Sequence, residues 1–114
     1  MEGAWAEGSF DFSGSPSELA EHVIAVLNNM GNVKKIDKSS GRIKARLNKP
    51  SMMAGYSSVE AIIMSAADGS RVDITISSPA SYAKGADTQA ITELNEFGRQ
   101  LEARATGGQN KVGW

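Results

Sequence analysis

The stretch SSVEAIIMSAADGSRVDITISS, residues 57–78, decides how this chain folds. Val72, Ile74 and Ile76 alternate with Asp73, Thr75 and Ser77, which is the period of a strand with one buried face. Asp68-Gly69 is the strongest short hairpin signal in the chain. A two-residue turn there pairs Ser65 with Val72, Ile63 with Ile74 and Ala61 with Ile76. Those residues then share one face. Glu60, Ile62 and Met64 join Asp73, Thr75 and Ser77 on the other, so pattern and turn agree.

Upstream, NVKKIDKSSGRIKARLN (32–48) reads as another hairpin, turning at Ser39-Ser40-Gly41 with Gly41 at positive φ. Ile43, Ala45 and Leu47 face one way; Arg42, Lys44 and Arg46 face the other. KPSMMAGY (49–56), broken by Pro50 and Gly55, is a loop between the hairpins. Further upstream, Ser15-Pro16-Ser17-Glu18 supplies a cap, a first-turn proline and the reciprocal partner of a capping box. Leu19, Val23, Val26, Leu27 and Met30 follow at helical spacing, and Gly31 offers a left-handed stop, so a helix runs over about residues 16–30. Before it, Phe10 and Phe12 alternate with Ser9, Asp11 and Ser13 in a short strand.

Downstream, SSPASYAKGADT (77–88) connects the last strand to a second helix capped by Asp87. Ile91, Leu94, Phe97 or Gly98, and Leu101 make its apolar stripe. Gly98 costs about 1 kcal/mol against alanine in a helix, which suits a close approach to the sheet or the first helix. TGGQNKVGW (106–114) reads as a polar tail.

The order is strand, helix, four strands, helix. Short turns make the four strands an antiparallel meander, and two amphipathic helices need one sheet face. The fold class is therefore α+β, a two-layer sandwich with both helices on one side. Residues 8–105 form one domain, with an extension at 1–7 and a tail at 106–114. By element order over those residues, the chain resembles the TATA-binding-protein-like fold, which recurs with embellishments in helix-grip lipid-binding proteins. It also looks like a small bacterial domain of unknown function. The resemblance implies sheet order 1-5-4-3-2 and an open face as the working surface. It transmits no activity, because that fold hosts unrelated ones.

Composition narrows the function. The chain has 114 residues, a formal net charge of −1, no cysteine and a single histidine, His22. Thiolate catalysis, disulfides and multi-histidine metal sites are excluded. The N-terminus lacks a signal-peptide pattern and AIIM (61–64) is far too short to span a bilayer, so a cytoplasmic protein is the default.

On the implied open face, Arg42, Lys44 and Arg46 form a basic stripe beside the apolar Ile62 and Met64. Met52, Met53 and Tyr56 in the long loop form an adaptable apolar lip, and Tyr82 lies at the rim. These nine residues are the candidate contacts for a peptide, a partner protein or an amphipathic small molecule. A solvated face and a homodimer interface are the competing readings. Nucleic acid is disfavoured, because Asp11, Glu60 and Asp73 share the face and no aromatic is placed there to stack.

Ser81-x-x-Lys84 has the spacing of an acyl-transfer nucleophile and base, but composition alone gives about one such pair by chance, and the companion motifs are missing. His22, at the border of the first helix's stripe, has no partner nominated for base chemistry. Asp11, Glu60 and Asp73 lack metal-loop spacing, and no cofactor is indicated. The chain reads as a non-enzymatic binding module. The alternative is a helix-grip carrier with an apolar small molecule or lipid between sheet and C-terminal helix.

Overall fold

A computed structural model describes residues 5–47, 57–77 and 86–113. The elements are β1 (Trp5–Phe12), α1 (Pro16–Met30), β2 (Gly31–Asp37), β3 (Arg42–Leu47), β4 (Ser57–Ala66), β5 (Gly69–Ser77) and α2 (Ala86–Gly113). The five strands form one antiparallel sheet in the order β1-β5-β4-β3-β2, as expected. β1 begins inside the stretch read as an extension, and α2 continues through the stretch read as a tail. Asp87 is the second residue of α2 rather than the one before it.

α1 starts as its sequence dictates. Ser15 Oγ accepts from the Glu18 backbone N–H at 3.2 Å, and the Glu18 carboxylate accepts from the Ser15 N–H at 3.1 Å. Leu19, Val23, Val26 and Leu27 are buried and Met30 partly so. The helix stop differs from expectation. Gly31 sits at φ −176°, extended rather than left-handed. A Cβ there would lie 2.1 Å from the Arg46 carbonyl oxygen, so the glycine answers the close passage of β3.

The β4–β5 hairpin turns at Ala67-Asp68, with Ala66 opposite Gly69, Ile63 opposite Val72 and Ala61 opposite Ile74. This register is two residues from the expected one. A slip of two leaves every side chain on its face. Its cause lies at Gly69, with φ +151° and a virtual Cβ 2.2 Å from the Phe12 carbonyl oxygen. Glycine is needed where the strand passes the end of β1, and the turn falls before it. Gly41 takes φ +70° as read, and its carbonyl accepts from the Ile63 N–H at 2.7 Å.

β2 carries a bulge between Val33 and Lys35. Strict alternation from the buried Gly31 would turn Ile36 outward. The extra residue, Lys34, shifts the parity: Lys35 pairs with Lys44 on the outer face and Ile36 pairs with Ile43 on the inner one.

The core lies between the inner sheet face and both helices. Ile43, Leu47, Val59, Ala61, Val72, Ile74 and Ile76 from the sheet meet Leu19, Val23, Leu27, Phe97 and Leu101. The inner stripe of α2 is rotated from the one read in sequence. Ala90, Glu93, Phe97 and Leu101 are buried, while Ile91 is 51% exposed. Contacts to β1 set this rotation. A Cβ on Gly98 would meet the Phe10 ring at 2.6 Å, and Leu94 packs 3.3 Å from where one would sit on Gly8. Phe10 and Phe97 make a tilted pair with centroids 5.7 Å apart.

Candidate functional site

Strand register fixes the outer face row by row. One row across the sheet is Glu7, Thr75, Glu60, Lys44, Lys35; the next is Ser9, Asp73, Ile62, Arg42, Asp37. Five of the sequence candidates, Arg42, Lys44, Arg46, Ile62 and Met64, do share this face. Met52, Met53, Tyr56 and Tyr82, with Ser81 and Lys84, lie outside the described residues.

The outer face satisfies much of its own charge. Arg42 pairs with Glu60 at 3.0 Å and Arg71 with Asp73 at 3.2 Å. Asp73 also accepts from Ser9 Oγ at 2.7 Å, and Arg71 donates to the Met64 sulfur at 3.5 Å. Glu60 and Asp73 are thus drawn to separate arginines rather than to each other. Arg71 was not among the sequence candidates, although the alternation that placed Asp73 outward also places Arg71 there.

His22 is tied into the helix layer. Its Nδ1 accepts from Arg104 Nε at 3.0 Å, and its ring stands edge-on to Phe12 with centroids 5.3 Å apart. Asn29 and Gln100 make a second side-chain bond between α1 and α2 at 2.8 Å. Among the described residues no group of histidine and carboxylate side chains could hold a metal ion, and no helix is long and apolar enough to cross a membrane.

Open space lies at both flanks of the helix layer. Directly beneath α2, Ala90, Phe97 and Leu101 are packed into the core. Under the first half of α1 a groove of about 570 Å³ opens toward the β2–β3 turn. Ala20 and Ile24 line it from the helix; Ile36, Ile43 and Ile63 line it from the sheet. Ile36 is 46% exposed although it faces inward. Glu21, Lys38 and the Ser39–Ser40 turn form a polar rim, and Met64 borders one end. At the opposite flank, a trough of about 700 Å³ runs between β1 and α2. Glu93, only 4% exposed, puts a carboxyl group into the inner stripe of α2. The spacing of large apolar residues in the sequence does not reveal it, because the buried position is a carboxylate.

No protein-family model matches the sequence, and no curated protein matches it. Solved structures do resemble the fold. Protein MLL2253 from Mesorhizobium loti superposes with a TM-score of 0.66 over 86% of this chain and 93% of its own, at 11% identity. Ara h 8.0201 gives 0.64 over 90% and 97%, at 7% identity. The di-domain ARO/CYC protein BexL gives 0.64 over 85% of this chain and 44% of its own, at 13% identity. The fold is a helix-grip fold. The comparisons support this fold and lend nothing to a TATA-binding-protein likeness. At these identities the likeness concerns the fold alone.

Proposed function

We propose that this protein binds an apolar small molecule, without chemistry upon it, in the groove between α1 and the β2–β3 hairpin. The observation that carries this reading is Ile36, an isoleucine turned inward by the bulge yet left half exposed because neither helix covers it. Covering its exposed half is worth about 1 kcal/mol. Ile24, Ile43 and Ile63 complete an aliphatic lining, and the volume lies in the range of small-molecule pockets. The helix-grip fold supports the reading, as does BexL's place in a biosynthetic pathway. The outer face supports a working surface less well, since Arg42, Arg71 and Met64 are engaged within it.

N-phenyl-1-naphthylamine, an uncharged apolar fluorophore, tests the proposal. Saturable enhancement is expected with the parent protein. Ile36→Glu sets a carboxylate in the lining and is expected to weaken binding about tenfold or more. Ile62→Thr, on the outer face, leaves it unchanged. Equal binding by Ile36→Glu and the parent, or no saturation by the parent, refutes the reading.

A further inference from the structure

We propose that the free edge of β1, with the α2 flank beside it, docks an extended peptide carrying basic side chains. Among the described strands β1 pairs only with β5, so one side of its backbone has no strand partner. Sheet edges are usually protected, and the two edges here differ in this respect. β2 is broken by its bulge and carries Lys34 and Lys35. β1 is regular over all eight residues, with no bulge, no proline and no lysine. It is the edge that accepts another strand.

The trough beside β1 gives that strand a place to lie. A sixth strand would run under the flank of α2, its inward side chains meeting Phe10, Phe12 and Leu101. Gly98 and Ala105 keep the helix side low. β1 extends about 27 Å at ordinary strand rise, enough for a heptapeptide.

Charge selects the occupant. Asp11 and Glu102 line the trough, and neither makes an ion pair among the described residues. Arg99, the cation of the lining, is held by Glu96 through its Nε at 3.1 Å. The exposed Glu7, outside the trough lining but on the outer side of β1 like Asp11, is a second carboxylate on this strand. A second copy of this chain fits poorly: antiparallel β1–β1 pairing centred on Ser9 sets Glu7 opposite Asp11, and like charges opposed across strands destabilise. A strand with lysine or arginine at alternate positions gains main-chain bonds, apolar contact and opposite charge together.

The test titrates the full chain, followed by amide NMR shifts, with a capped heptapeptide of alternating valine and lysine. Its twin carries glutamate for lysine. The lysine peptide is expected to saturate, with shifts confined to Trp5–Phe12 and Asn95–Ala105. Affinity is expected to fall several-fold as salt rises from about 50 to about 300 mM. Asp11→Lys with Glu102→Lys weakens it about tenfold or more. Ala105→Trp, which fills the trough, abolishes it while far-UV circular dichroism stays unchanged. Equal binding of the glutamate peptide, undiminished binding by the charge-reversed variant, shifts centred on the α1 groove, or no shifts at millimolar peptide overturns the proposal. Concentration-dependent β1 shifts without peptide assign the edge to a second copy and overturn it too.

Discussion

Gly31→Ala perturbs the joint at which the helix layer is pinned to the sheet. α1 ends at Met30 and β2 begins at Gly31, with no residue between them. An alanine Cβ there would stand 2.1 Å from the Arg46 carbonyl oxygen, 2.6 Å from Leu47 Cα and 2.9 Å from the Arg46 carbonyl carbon. Close carbon–oxygen contacts in sheets fall near 3.3 Å, so β3 must withdraw by about 1 Å. These are backbone atoms and cannot swing aside as a side-chain tip does. β3 is also fixed on its far side by the pairs Arg46–Ser58 and Leu47–Ser57. The strain therefore falls on the pairs Gly31–Leu47 and Asn32–Arg46. Losing their bonding costs about 1 kcal/mol each, and residual overpacking adds about 1–3 kcal/mol. A loss of about 3–5 kcal/mol is expected by urea unfolding with unchanged m. Asn32→Ala, on the exposed side of the same strand, is expected to stay within about 0.5 kcal/mol. A Gly31→Ala loss below about 1 kcal/mol refutes the close-approach account.

Two further outcomes follow from local geometry. Ser15→Ala removes half of the reciprocal cap on α1 and is expected to lower stability by about 1 kcal/mol in the same urea assay. Arg99 beside Glu96 holds that carboxyl below its ordinary value of 4.5, with Gln100 as a second donor. A depressed folded-state pKa stabilises above the ordinary value, and the gain is lost as pH falls through the lowered one. Glu96→Gln should thus show a shallower decline of urea midpoint below pH 4.5 than the parent; parallel declines reject the pairing.

The parts of the fold legible in the sequence are those whose causes are local. Ser15, Pro16 and Glu18 lie within one turn of each other, and α1 starts where they say. Strand faces survive even a wrong register, because Val72 and Ile74 differ by a full side-chain period. The misreadings trace to distant partners. Gly31 and Gly69 are glycines because Arg46 and Phe12 pass close to them, and no local signal announces either approach. Helical spacing alone puts Ile91 at the inner position that belongs to Ala90, because the fit of Gly98 to Phe10 and of Leu94 to Gly8 sets the rotation of α2. Five outer-face candidates were placed together by alternation alone. The groove residues were not, because a groove is made by what the helices leave uncovered.

The bulge at Lys34 links these observations. It turns Lys35 outward beside Lys44, which adds charge to the outer face and protects the β2 edge. The same extra residue turns Ile36 inward, beyond the reach of α1, and so opens the aliphatic groove. Apolar surface is thereby left where a small molecule can cover it, while the outer sheet face is crossed by ion pairs. β1 has no such device, and its open side borders carboxylates rather than lysines. The two edges differ in pairing, charge and neighbouring space, and on that difference rest the proposals of an apolar molecule for the aliphatic groove and a basic strand for the β1 edge.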